Sequence, residues 1–160
     1  MEKKNDVELL TVPMSWEVPY LYSAGETISR FLVELRDNAR IMATRCPKCK
    51  EVLLPPRSFC ATCFVSLKDQ WVEIEPVGEL VTFSICTEQL TGAPKPPYIV
   101  AFVKLGESTV PMAQFLEGVD LSDPAKAGKE LKAGMPIKAV FKDKSERKAS
   151  ITDFHVELIK

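Results

Sequence analysis

The sequence has a single histidine, His155, no apolar run long enough to cross a bilayer, and no excess of charge of either sign. Each absence removes a class of function. With one histidine, a serine or cysteine nucleophile has His155 or nothing as its base. His155 lies in the alternating stretch Ile151-Thr152-Asp153-Phe154-His155-Val156-Glu157, shares a strand face with Asp153 and Glu157, and is expected to face water. A membrane-spanning helix needs about 18 or more consecutive apolar residues, and no stretch approaches that. The start, Met1-Glu2-Lys3-Lys4-Asn5-Asp6, is followed by neither an apolar core nor a small-residue cleavage site, so a cytoplasmic protein is expected. The 21 basic and 22 acidic residues leave a net charge of -1, too little to draw the whole molecule onto nucleic acid or an anionic membrane. Any anion site must be local.

What is present instead is a concentration of cysteine. Four of the five cysteines form two pairs, Cys46-Pro47-Lys48-Cys49 and Cys60-Ala61-Thr62-Cys63. In a reducing compartment such pairs hold metal more often than they form disulfides. Thiolates bind zinc best as a tetrahedral set, and each Cys-x-x-Cys turn presents two sulfurs to one ion. The insert between Cys49 and Cys60 is shorter than the usual spacing of such sites but long enough for a hairpin that returns the second turn to the first. A closed structural Zn2+ site on Cys46, Cys49, Cys60 and Cys63 is expected. A redox dithiol would want its Cys-x-x-Cys to open a helix, against which stand Pro47 and the missing helical period. A rubredoxin-type iron centre would use the same four ligands. Cys86, in the alternating stretch Val81 to Thr87, reads as a small core residue.

Ahead of the cysteines, Pro13 and Pro19 keep residues 1–22 irregular, while Trp16, Tyr20 and Tyr22 give that segment apolar surface to lay down. Ser23 with Glu26 three residues later has the form of a capping box, and Ile28, Phe31, Leu32 and Leu35 follow at helical spacing. An amphipathic helix ending near Asn38 is predicted. Beyond the cysteines the period becomes that of strands: Trp71 to Glu75, Gly78 to Thr87, Tyr98 to Leu105, Thr109 to Phe115, Ile137 to Lys142 and Ser150 to Ile159. Between Phe115 and Ile137, Asp123-Pro124, Gly128 and Gly134 argue for a loop with at most one helical turn. The fold class is mainly β: an N-terminal segment and helix over 1–40, a rubredoxin-like zinc ribbon over 41–70, and a five-stranded OB-fold barrel over 71–160.

Taken together, Cys46-Pro47-Lys48-Cys49, Pro55-Pro56-Arg57, Cys60, Cys63, Trp71, Gly78 to Ser84, Pro96 to Ala101 and Gly134-Met135-Pro136 resemble the DUF35 family over roughly residues 23–159. Lys50 departs from the glycine that commonly follows the first ribbon turn. The resemblance implies a rubredoxin-like zinc ribbon joined to an OB-fold in a non-catalytic partner of thiolase-superfamily enzymes, which stabilises that partner and helps form its acyl-CoA site. Under it, Arg57, Lys95 and Tyr98 are the candidate CoA-binding residues, with Lys95 held by the prolines of its loop. Arg57 is equally suited to a surface ion pair. Lys142, Lys144, Arg147 and Lys148 offer a second cationic loop, whose plainer reading is a solvated hairpin tip.

Zinc ribbons and OB-folds also bind single-stranded nucleic acid, which calls for a basic groove with stacking aromatics. In Tyr98-Ile99-Val100-Ala101-Phe102-Val103-Lys104-Leu105 both strand faces are largely apolar. A barrel buries one of them, so the other must meet the ribbon, the helix or a partner protein rather than phosphates. Nucleic acid is the less expected ligand, and no membrane contact is expected.

Overall fold

The computed structural model describes residues 11–13, 20–89 and 93–159. Trp16 and Pro19 fall outside them, while Tyr20 and Tyr22 are exposed rather than laid against the protein. The helix α1 spans Gly25–Asn38 and buries Thr27, Phe31 and Leu35, with Ile28 and Leu32 half-buried. Its N-cap is Ala24, not Ser23, and no side chain caps it; the Ser23 hydroxyl instead accepts from the Gly25 N–H at 3.2 Å. The C-terminus is as expected, and Ala39 closes it in the left-handed region at φ 51°.

The strands are β1 (Ile41–Arg45), β2 (Val52–Leu53), β3 (Phe59–Cys60), β4 (Val65–Ser66), β5 (Trp71–Ile74), β6 (Val77–Cys86), β7 (Tyr98–Leu105), β8 (Met112–Glu117), β9 (Pro136–Phe141) and β10 (Phe154–Leu158), with α2 (Pro124–Glu130) between β8 and β9. They form three sheets: β2-β1-β5, the small hairpin β3-β4, and a closed barrel in the order β10-β8-β7-β6-β9. β8 and β10 run parallel, and β9 closes the ring by pairing with both β6 and β10. That is the expected five-stranded barrel. The strand Trp71–Ile74 pairs with β1, not with a barrel strand, and so lies on the ribbon's sheet.

Alternation along β7 explains the closure. Ile99, Ala101, Val103 and Leu105 are buried inside, and the intervening Phe102 is 45% exposed. At the start of β6 only glycine fits, because a Cβ at Gly78 would collide with the Lys104 carbonyl oxygen. The barrel interior runs without interruption into Phe31 and Leu35 of α1 and Ile41 of β1, so helix and barrel share one core. Arg147 fastens the join: its Nη1 donates to the Leu35 carbonyl at 3.2 Å, in the last turns of α1. The expected solvated tip is therefore partly structural. Cys46, Leu53, Cys60 and Leu67 make a separate small cluster in the ribbon.

Two further expectations are corrected. The segment after β8 holds a seven-residue helix, more than a single turn, because Asp123 is an N-cap whose Oδ1 accepts from the Lys126 N–H at 3.0 Å and Pro124 opens the helix. Asp153 is buried and His155 half-buried, against the exposed strand face expected. Asp153 stands in a 3-10 turn, Ile151–Asp153, where its carboxylate accepts from the N–H groups of Lys148 and Ser150 in a capping box.

Candidate metal centre and cleft

The sulfurs of Cys46, Cys49, Cys60 and Cys63 all lie within 4.8 Å of one another, with Cys49 and Cys60 at 3.7 Å. Four sulfurs placed about 2.3 Å from a central ion in a tetrahedron stand roughly 3.8 Å apart. The donor set therefore fits a metal ion, and its four thiols leave no coordination position for a substrate.

The two turns are built alike. Lys50 N–H donates to the Cys46 carbonyl at 3.0 Å, and Phe64 N–H to the Cys60 carbonyl at 2.8 Å. Each donor residue is left-handed, Lys50 at φ 66° and Phe64 at φ 52°. A side chain is disfavoured there, which is why glycine suits the position that Lys50 occupies. Burial pushes the Cys46 thiol up, but the backbone N–H groups of Cys49 and Lys48 and the thiols of Cys49 and Cys60 together bring it down to about 6. At Cys49 the Glu51 N–H is outweighed by burial and the neighbouring thiols, which push that thiol up to about 12. At Cys46 the amides curled around the sulfur thus favour the thiolate that a metal needs.

Arg57 stands apart from the other two candidates. The buried Thr44 hydroxyl accepts from the Arg57 N–H at 3.0 Å and donates to the Arg57 carbonyl at 3.1 Å, pinning that backbone to β1. The side chain is exposed in a cleft of about 530 Å³ beside Gly25, Glu26 and Thr27 at the start of α1. Lys95 and Tyr98 line a different cleft, of about 240 Å³, with Phe115, Val119 and Leu121. Phe115 meets the Tyr98 ring edge-on at 5.9 Å. The Tyr98 hydroxyl is buried against the Cys86 thiol, and burial first, then its contact with that thiol, pushes its pKa up. Sequence reasoning missed Thr44, Phe115 and Leu121. Only the Asp123-Pro124 helix start hinted that the segment carrying Val119 and Leu121 was ordered.

His155 meets Glu157 at 3.5 Å and Glu117 at 3.8 Å, away from any cysteine of the metal set. Cys86 is half-buried at the end of β6, opposite Tyr98. Among the described residues no helix is long and apolar enough to cross a membrane.

Two family models match in tandem: the ChsH2 rubredoxin-like zinc ribbon domain over residues 34–68 and the ChsH2 C-terminal OB-fold domain over residues 71–142. The chain belongs to the DUF35 family. One similar solved structure is a DUF35 family protein of unknown function from Sulfolobus solfataricus, 20% identical, with a TM-score of 0.59 over 84% of this chain and 87% of that one. Another is a chain of the Ltp2-ChsH2(DUF35) aldolase, 22% identical, with a TM-score of 0.57 over 85% of this chain and 96% of that one. At these identities the likeness is one of fold. No curated protein matches this chain in sequence.

Proposed function

We propose that the chain is a non-catalytic, Zn2+-containing subunit that docks on a thiolase-superfamily enzyme and helps form its acyl-CoA site. The observation that carries this reading is the outer face of β6, β7 and β8. In register there stand Thr82, Phe102 and Ala113, and beside them Ser84, Val100 and Phe115. None of the six is charged, and Phe102 stays 45% exposed near their centre. A phosphate backbone has nothing to pair with on such a face, whereas an apolar protein surface does. The face adjoins the Tyr98 cleft through Phe115, so a partner seated on it would bring its own reacting groups close to Lys95 and Tyr98. The Ltp2-ChsH2(DUF35) aldolase, in which a DUF35 chain accompanies a second protein, supports the same reading.

In this reading the metal is a staple: bound through Cys46, Cys49, Cys60 and Cys63, zinc would fix the ribbon and supply no Lewis acid to substrate. Lys95 and Tyr98 are the proposed acyl-CoA contacts, and Arg57, in its own cleft, is proposed to pair with a carboxylate of the partner. The chain has no nucleophile-base pair to turn over a thioester, since its one histidine sits between two glutamates.

Co-expression with a thiolase-like protein encoded beside it tests the proposal. A stable complex that survives high salt is expected, because burial of apolar surface is not screened as ion pairs are. Phe102→Asp should abolish the complex while the free chain keeps its melting temperature, and activity should require both chains. A folded chain that associates with no thiolase-like protein from its own source, or that binds single-stranded oligonucleotides below micromolar concentration at physiological salt, overturns the reading.

A further inference from the structure

The apolar outer face of β8 ends in charge. Its outward residues are Ala113, Phe115 and Glu117, alternating with the buried Met112, Gln114 and Leu116. Ala113 and Phe115 belong to the docking face described above. Glu117, two residues further along the strand, stands directly opposite Glu157 of β10, where the two strands run parallel. Like charges opposed across a strand pair repel, and the barrel seam has no need of both. Lys138 answers Glu157 alone, with its Nζ 3.3 Å from one carboxylate oxygen. Among the described residues the one ion-pair partner of Glu117 is His155, at 3.8 Å, which neutralises it only when protonated. Glu117 is also the more open of the two, its side chain 59% exposed against 35% for Glu157.

Both glutamates line a cleft of about 420 Å³ whose other walls include Met135, Pro136, Leu158 and Ile159. The cleft is thus apolar along its walls and anionic at two carboxylates. That is the complement of a long cationic side chain, which lays its methylenes on apolar surface and keeps its charged head at a polar edge. A guanidinium suits the pair better than an ammonium, because its planar fork of five donors serves two carboxylates at once and gives up its hydration more easily. A metal ion is the poorer fit: it would leave the apolar walls idle, and among the described residues the four ribbon cysteines are the one close cluster of metal-ligating side chains. We propose that this cleft receives an arginine side chain of the partner enzyme, its stem on Met135, Leu158 and Ile159 and its guanidinium between Glu117 and Glu157. This rests on the reading above that the outer face of β6, β7 and β8 docks on a thiolase-superfamily enzyme. It adds what that enzyme must carry, a basic side chain at the border of an apolar patch.

The test has one arm on the free full chain and one on the complex. The free chain is titrated with an acetylated, amidated tripeptide carrying arginine between two leucines, and with the same peptide carrying citrulline, which keeps the shape and loses the charge. Chemical-shift changes should saturate with the arginine peptide and centre on Glu117, Leu158 and Ile159, and the citrulline peptide should bind roughly tenfold more weakly. Calcium chloride at matched ionic strength should not displace the arginine peptide. In the complex with the co-expressed thiolase-like protein, Glu117→Gln should weaken association roughly fivefold, and Glu117→Lys should weaken it further. Each variant, as the free chain, should melt at or above the wild-type temperature, because a like-charge pair is relieved. Equal binding of the two peptides, or no saturable binding, overturns the proposal. So does displacement by calcium, which would show a cation site, and so does a melting temperature below the wild type, which would show that Glu117 serves the seam. The subunit reading fails separately. A chain that binds the arginine peptide but joins no thiolase-like protein keeps this cleft and loses that function, whereas a complex indifferent to both Glu117 substitutions keeps the function and overturns the proposal.

Discussion

In the barrel, β7 alone buries Ile99, Ala101, Val103 and Leu105 on one face, and that core continues into α1. In the ribbon, β2, β3 and β4 are two residues long each, and the buried cluster between them is Leu53, Leu67 and two of the metal-binding cysteines. The two regions are close in sequence and differ in what holds them. The barrel excludes enough apolar surface to stand on the hydrophobic effect, and Val52 and Leu54 of the ribbon join its core, whereas the rest of the ribbon has so little to bury that its sulfurs serve as both core and ligands. Small units below the size of a self-sufficient core need such a staple.

The comparison breaks hardest at the metal. Chelation, or Cys60→Ser, should release the ion, a loss on the order of 10 kcal/mol of binding free energy for the ribbon. The expected signature is regional: amide exchange in residues 46–51 and 58–67 becomes fast, while Val52, Leu54 and β6 to β10 keep their protection. A global collapse would mean that the barrel leans on the ribbon. Elemental analysis should return about one zinc per chain, and iron would replace the zinc reading with a rubredoxin-like one. Next in size is Leu105→Ala, fully buried in the barrel. It should cost about 2–5 kcal/mol in denaturant unfolding and leave metal content unchanged.

A smaller effect of opposite sign sharpens the contrast. Lys50 is left-handed at φ 66°, so Lys50→Gly should stabilise the holo-ribbon by about 1 kcal/mol, seen as slower transfer of metal to a competing chelator. The smallest effect belongs to the barrel seam. Lys138 on β9 and His155 hold the Glu157 carboxyl below its ordinary value. Its contribution is therefore present above the unfolded-state value and is lost as pH falls through the lower folded one. Glu157→Gln should lower the melting temperature slightly at neutral pH, and the gap to the wild type should close on acidification.

The two regions were also unequally legible in the sequence. The ribbon announces itself because metal chemistry fixes residue type and spacing together, and the ends of β7 were legible because a two-residue period ends abruptly at proline and at glycine. The helix α2 was obscured by Gly128 and by Pro124, a breaker inside a helix but a good first residue after Asp123. The burial of Asp153, the neighbours of His155 and the bond from Arg147 to α1 are tertiary facts. No local pattern distinguishes an aspartate in a capping box from one on a wet strand until the preceding loop is placed. Separating Arg57 from Lys95 and Tyr98 likewise required the fold, since motif spacing says nothing about which cleft a side chain enters.

Closure of the barrel has a consequence for self-association. In the ribbon sheet Thr109 engages both backbone groups of Val52, so β2 is already occupied on its outer side, and in the barrel every strand has a neighbour on each side, β6 meeting β9 over Val77–Glu79. In the ribbon sheet, among the described strands longer than two residues, β5 alone leaves a whole side without a neighbour. The exposed Glu73, paired with Arg40, stands on that strand. A charged side chain on a strand of four residues discourages the templated growth by which sheets from different molecules stack into fibres. The ribbon sheet therefore offers other proteins its faces and withholds its backbone.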